Sequence, residues 1–314
     1  MAGEYTSSTE TRRGFFVYVS EATGELKERQ LEYAVVDGRA VFEGDIILGT
    51  AETIAAEEEM PPVAEPGMMA RGVVIVGAQY RWPEGVIPYT IDAGLPNQQR
   101  VTDAVAHWEE HTPVRFAVRS TETNYVRFVP STGCWSYVGR QGGRQDIGLA
   151  SACTTGNAIH EIGHAVGLWH EQSREDREDH VTIHWENIAA GYEHNFNQHI
   201  ADGDDVGPYD YGSLMHYGRT AFSTTGADTI TPPPGVAIGQ RNGLSVGDIA
   251  AVVYMYGEQV LYVGNKNSRE LHMPDCRWVD RMLARNKKYF STQEEALTSG
   301  YNGCWFCMRH HDTG

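Results

Sequence analysis

Positive charge is scarce in this 314-residue chain: 25 Lys and Arg stand against 42 Asp and Glu, a net −17. So acidic a surface repels polyanions, which disfavours nucleic acid as a general partner. Long apolar runs are missing too, and none approaches the roughly 20 residues a membrane-spanning helix needs, so no membrane partner is expected. Met1 to Arg13 is polar, without an apolar stretch behind a basic start, and no secretory leader is visible there. Cysteine is sparse and odd in number, five in all. Cys134 and Cys153 stand apart and suit one disulfide. Cys276, Cys304 and Cys307 suit a metal site that needs a fourth ligand.

What remains is a composition of globular type, 41% hydrophobic and 21% charged, in a chain long enough to bury a real core. Three textures divide it, with boundaries expected at 1–72, 73–258 and 259–314. The first contains strand-like stretches, Phe15 to Val19 and Leu31 to Val36. An acidic Ala/Pro-rich segment follows, Ala51 to Pro66, which reads as an exposed, extended linker. The second opens on strand signals (Val73 to Val76, Val86 to Ile91). A helical pattern at Asn97 to His111 has Val101, Val105 and Trp108 on one face. Strands are expected at Val114 to Val118, Tyr125 to Val129 and Trp135 to Val138. A last helix near Ser245 to Tyr256 has Ser245 and Asp248 poised as a capping box. This order predicts an α+β fold. In the third region the charge changes: from Gly264 onward eight Lys and Arg face six Asp and Glu.

The chemistry lies in His160-Glu161-Ile162-Gly163-His164-Ala165-Val166-Gly167-Leu168-Trp169-His170. Residues i and i+4 share one face of a helix, so His160 and His164 can grip one ion from the same side. A helix that continued would carry later residues away, and Gly167 supplies the break that lets His170 turn back. Three neutral imidazoles leave one coordination position open, as in catalytic rather than structural zinc sites. Glu161 can lean over that position as general base for a metal-activated water, then pass the proton to a leaving amine. A lone His-Glu-x-x-His pair occurs on ordinary surface helices, and the added glycine and third histidine are what make this pattern specific.

Farther along stands Ser213-Leu214-Met215-His216-Tyr217-Gly218. An extended zinc motif followed by a methionine turn is that of the metzincins, and within them the sequence resembles the astacin family. The likeness continues in Glu171-Gln172-Ser173-Arg174-Glu175-Asp176-Arg177, in Trp82-Pro83-Glu84-Gly85-Val86-Ile87-Pro88-Tyr89 and in Gly133-Cys134-Trp135-Ser136-Tyr137-Val138-Gly139. It spans about residues 73 to 257. The resemblance implies a two-lobed domain with a twisted mixed sheet and an active-site helix, working as a zinc-dependent endopeptidase on proteins or peptides. It makes Met215 the apolar floor beneath the metal and Tyr217 a movable extra ligand that stabilises the oxyanion. Trp135 to Val138 becomes the edge strand that receives substrate. Cys134 and Cys153 resemble one of two family disulfides, while Pro113 occupies a cysteine position of the other. An extracellular, monomeric protein is expected on the same grounds.

Phe42-Glu43-Gly44-Asp45-Ile46 resembles the short motif of astacin pro-segments, in which Asp45 would ligate the zinc and displace the catalytic water. The likeness implies a latent precursor released by an activating protease near Arg71-Gly72-Val73. The new amino group would then pair with Glu171. At the C-terminus, His272, Cys276, Cys304 and Cys307 form two close ligand pairs suited to a second, structural zinc. Their surroundings, Gly264 to Ser268, Tyr289-Phe290, Glu294-Glu295-Ala296 and Gly300-Tyr301, look like the metal-binding module of bacterial alkylation-repair proteins. His272 stands where those proteins carry a reactive cysteine, so methyl transfer is not expected. Two rival readings exist. An inert metal-binding domain is opposed by Glu161 and Tyr217. A nucleic-acid-associated factor directed by the C-terminal module is opposed by the acidic balance and His272.

Overall fold

The structure is a computed structural model. It describes residues 8, 10–19, 26–54, 72–75, 77–199, 203–256, 262–273, 276, 278–279, 281–283, 286–290, 293–304 and 307–308. The N-terminal region is a chain of antiparallel strands: β1 (Thr11–Val19), β2 (Leu26–Val36), β3 (Arg39–Phe42) and β4 (Ile46–Thr50). Strands β2 and β3 are joined by Asp37-Gly38, both at positive φ (49° and 76°), the two-residue turn whose twist matches that of the flanking strands.

Instead of the extended linker expected from Ala51 onward, the chain first forms a one-turn helix, α1 (Ala51–Ile54). Ala51 is buried and its amide donates to the Gly38 carbonyl at 2.9 Å. Acidic composition predicted solvation but could not reveal that Ala51 packs under the hairpin. The remainder of the expected linker, 55–66, lies outside the described residues.

The next region begins with β5 (Gly72–Ile75), β6 (Val86–Ile91), α2 (Gln99–His111), β7 (Arg115–Val118), β8 (Tyr125–Pro130), β9 (Ser136–Tyr137), β10 (Arg144–Leu149) and α3 (Thr155–Val166). Strands β10, β8, β6 and β7 lie side by side, all parallel. Parallel neighbours need a crossover, and α2 supplies it between β6 and β7. An antiparallel bridge between Trp135 and Gly148 attaches the β9 segment, so the sheet edge is mixed, as the family resemblance implied. Strand β10 had no counterpart among the sequence expectations, because its polar start (Arg144, Gln145, Asp146) hides the apolar alternation.

Helices α2 and α3 close over a core containing Ile87, Trp108, Phe128, Ile147 and Ile162. The buried indoles are anchored as well as packed: Trp108 Nε1 donates to the Ile159 carbonyl at 3.0 Å, and Trp82 Nε1 to that of Ala165 at 2.8 Å. Both acceptors belong to α3, so the core fixes the helix that carries the histidines. Buried Arg100 reaches from α2 to the carbonyls of Ala150 and Cys153. It thereby holds the turn before α3, and the Cys134–Cys153 disulfide, with Cα atoms 6.2 Å apart, ties the same turn to the edge segment.

After α3 regular structure thins to β11 (Thr182–Ile183), β12 (Gly203–Val206), β13 (Ile230–Thr231) and α4 (Val246–Tyr256). A second, smaller core there gathers Phe196, Tyr209, Tyr217 and Ile230, giving the two lobes. The Ser245 and Asp248 capping box forms as expected: Asp248 N donates to Ser245 Oγ at 2.9 Å and Ser245 N to Asp248 Oδ2 at 2.8 Å. The C-terminal region forms β14 (Tyr262–Asn265), β15 (Glu270–His272), β16 (Lys287–Phe290), α5 (Gln293–Thr298) and β17 (Asn302–Gly303). It has its own cluster of Leu271, Phe290, Ala296 and Tyr301. Among the described residues, no helix is long and apolar enough to cross a membrane.

Because Trp108 both fills the core and grips α3, Trp108→Ala is expected to cost about 3–5 kcal/mol. Denaturant unfolding checks this, with a lowered midpoint as the expected result.

Candidate metal centre

Helix α3 starts with a reciprocal cap. Asn157 N donates to Thr154 Oγ1 at 3.3 Å, and Thr154 N donates to Asn157 Oδ1 at 2.9 Å. From Gly156 to Val166 every residue is buried, which is unusual for a helix carrying His160, Glu161 and His164. Buried polar groups of this kind must be paired or must hold a metal. The helix stops at Gly167, whose φ of 122° and amide bonds to the Gly163 and His164 carbonyls turn the chain outward. Beyond it, Trp169 N donates to Val73 O and Ile75 N to Gly167 O, both at 2.8 Å, so β5 holds the returning segment. His170 is thereby brought beside the first two histidines.

The three rings cluster with centroids 4.7 Å (His160–His164), 5.3 Å (His160–His170) and 4.7 Å (His164–His170) apart. Each Nδ1 lies on an acceptor: Leu214 O at 3.0 Å for His160, Leu168 O at 2.8 Å for His164 and Glu43 Oε2 at 2.7 Å for His170. An acceptor at Nδ1 puts the proton there and leaves the Nε2 lone pair free for a metal. All three Nε2 atoms are buried without a hydrogen-bond partner. They face Asp45, whose Oδ2 lies 3.4 Å from His160 Nε2 and from His170 Nε2, with Oδ1 3.7 Å from His164 Nε2.

Three imidazole nitrogens and a carboxylate packed this closely need positive charge among them, supplied by a metal ion or by a proton on His170. Ligands about 2.0–2.1 Å from a tetrahedral zinc sit roughly 3.3–3.4 Å from one another, close to the separations observed. The residues therefore fit the ion. Burial drives the imidazoles of His160 and His164 down, keeping them neutral. At His170 burial acts the same way, but Asp45 and then Glu43 outweigh it and lift the ring to about 9. The two carboxylates have made this pocket a place for positive charge.

Both carboxylates come from the turn between β3 and β4, where Glu43 and Gly44 take positive φ (48° and 77°). The turn is pinned by Ser136 N donating to Asp45 O at 2.8 Å and by the Tyr217 hydroxyl donating to the Glu43 carbonyl. Strand β4 then runs parallel to β9, pairing Ile46 with Ser136 and Ile47 with Tyr137. The edge expected to receive substrate is thus covered by the N-terminal strands. Arg39 adds to the cover, stacking over Trp135 at 4.4 Å.

Other predicted residues surround the centre. Met215 is buried, and a Cβ on Gly163 would meet its sulfur at 2.7 Å, so its thioether lies directly against α3. Tyr217 packs its ring 4.5 Å from that of His170. Glu161 is buried on α3 immediately after the first ligand. Glu171 is buried and accepts from Asp210 N at 2.7 Å, with Arg174 Nη1 at 3.8 Å. Burial pushes its carboxyl well above the usual range despite Arg174. At the expected cleavage point, Arg71 lies outside the described residues.

Sequence reasoning missed Glu43, Ser173 and His199. Glu43 Oε1 accepts from Ser173 Oγ and from His199 Nε2, the latter at 3.1 Å, and His199 stacks on Trp169 at 4.1 Å. Glu43 stood in the recognised motif as the neighbour of Asp45. His199 bears no spacing relation to the zinc helix, so nothing local marked it.

At the other end of the chain His272, Cys276, Cys304 and Cys307 converge, their ligand atoms within 4.8 Å of one another. His272 Nδ1 is 3.5 Å from Cys276 Sγ, close to the roughly 3.5–3.6 Å expected across a zinc with bonds of about 2.0–2.1 and 2.3 Å. Burial, then its crowded neighbours Cys276 and Cys304, push the Cys307 thiol up to about 12.

An α+β domain with three convergent imidazoles, a helix broken by glycine and a methionine floor defines a zinc-peptidase class of metzincin type. The sequence profile of the Astacin peptidase family matches residues 75–257, and the chain belongs to that family. It is 43% identical over 188 residues to zinc metalloproteinase nas-15 of Caenorhabditis elegans, covering 56% of this chain and 32% of that protein. It is 42% identical over 178 residues to high choriolytic enzyme 1 of Oryzias latipes, covering 54% and 66%. The solved structure of that hatching enzyme zinc-protease aligns with a TM-score of 0.52 at 40% identity, over 56% of this chain and 92% of that one. The chain spans 32% to 44% of the length of nas-15, nas-13, SpAN and blastula protease 10, four of the curated relatives it matches.

A side chain at Gly167 would need a positive φ and would meet Ile75 Cγ2 at 2.9 Å. Gly167→Ala is expected to cost about 1–3 kcal/mol and to lower zinc occupancy by displacing His170. Thermal unfolding with and without chelator reads both effects.

Proposed function

We propose that the protein is a zinc-dependent endopeptidase made as a latent precursor, with residues 1–72 as pro-segment, 73–258 as peptidase domain and 259–314 as a second zinc module. The observation that carries this is the convergence of three Nε2 atoms on a point that Asp45 also faces. A zinc ion held there supplies Lewis-acid polarisation of a scissile carbonyl and of a water molecule. Glu161 accepts the proton of the attacking water and returns it to the leaving amine. The Tyr217 hydroxyl donates to the developing oxyanion once it is released from the Glu43 carbonyl. Strand β9 aligns an extended peptide through its backbone.

Latency has two supports. Asp45 takes the corner that water would need, and β4 lies along β9 where the peptide would lie. Cleavage near Arg71-Gly72-Val73 removes both. Glu171, buried beside Asp210 N and Arg174, is suited to take the new amino group. The ion pair would fix the register of the mature N-terminus more than it would add stability. The disulfide fits an oxidising, extracellular compartment. At the C-terminus His272, Cys276, Cys304 and Cys307 form a closed site of four ligands, which suits a structural zinc and offers no thiolate at position 272 for methyl transfer.

Glu161→Gln in the processed protein is expected to keep its zinc and lose about 10²–10⁴-fold in kcat/KM on a peptide substrate; undiminished activity would remove Glu161 from the chemistry. Asp45→Ala is expected to make the unprocessed precursor active, and a precursor as inert as the parent would end the aspartate-switch reading. Metal analysis should find two zinc ions per precursor chain and one in Cys304→Ser; an unchanged count in the variant would refute the second site.

A further inference from the structure

The three histidines differ in what stands behind them. His160 and His164 give their Nδ1 protons to the carbonyls of Leu214 and Leu168, neutral groups of the same domain. His170 gives its proton to Glu43, an anion that belongs to the leader. Glu43 is fully buried and both its oxygens are engaged, Oε2 by His170 and Oε1 by Ser173 and His199. The Phe42 ring seals it edge-on against His199 at 5.4 Å and Trp169 at 6.3 Å. A carboxylate at the far nitrogen of a ligating imidazole orients the ring and raises its basicity toward the metal. Cleavage that releases the leader removes this partner and leaves the other two in place.

We propose that Glu43 is the outer-sphere carboxylate for His170, so that the leader tightens zinc binding through the histidine as well as through Asp45. This rests on the metal-centre reading above and extends it. The precursor is then the form in which zinc is acquired and retained, and processing unmasks a site that holds its metal less firmly. Glu43 is a positioning residue, since it touches neither metal nor substrate.

The test is the rate of zinc transfer from full-length precursor to a chromogenic chelator, in the parent and in Glu43→Gln, each with and without Asp45→Asn. All four carry Cys304→Ser, so that a single ion is followed. Glu43→Gln should speed release about 10–100-fold in both backgrounds, because its action runs through His170 independently of the inner carboxylate. If Glu43 merely seats the turn that carries Asp45, Glu43→Gln will have no effect once Asp45 is replaced, and the proposal falls. Release within twofold of the parent in both backgrounds overturns it equally. A parent precursor without chelatable zinc that depends on His164 would instead overturn the metal-centre reading itself.

Discussion

Three buried imidazole nitrogens face one buried carboxylate across 3.4–3.7 Å. That array needs positive charge within it, from a metal ion or from a proton on His170, and most of the surrounding architecture serves to hold it together. The Trp108 and Trp82 indoles clamp α3 to the core, Arg100 and the disulfide fix its entry, and Gly167 fixes its exit. β5 then returns His170 through backbone bonds rather than side chains. An ion bound there would offset part of the cost of desolvating these polar groups, which would link metal binding to the stability of the domain.

The N-terminal strands bring a turn with two carboxylates to the same centre, at two depths. Asp45 faces the metal position directly, whereas Glu43 stands behind His170. The positive φ at Glu43 and Gly44 lets two residues two positions apart aim at opposite sides of the same imidazole. The same segment also engages the Tyr217 hydroxyl and lies along the β9 edge, so one short stretch of chain contacts the metal position, the tyrosine beside it and the sheet edge together.

Much of this was legible in the chain. The zinc helix, its glycine break and the third histidine follow from i, i+4 geometry, and the Ser245 and Asp248 cap followed from local spacing. Elements set by tertiary contact were not. The helix at Ala51 depends on a hairpin carbonyl, β10 begins with three polar residues, and His199 acts through a stack on Trp169. Glu43 was written within a recognised motif, but its role depends on a partner 127 residues away, a distance that no local pattern spans.

In the full-length chain Asp45 stands where a fourth ligand to the three histidines would be. X-ray absorption at the zinc edge of the full-length Cys304→Ser protein tests that placement without reference to activity. The expected result is a four-coordinate shell of three nitrogens and one oxygen at about 2.0–2.1 Å, with the oxygen environment changed by Asp45→Ala. A sulfur-containing shell, or one indifferent to Asp45, would contradict it.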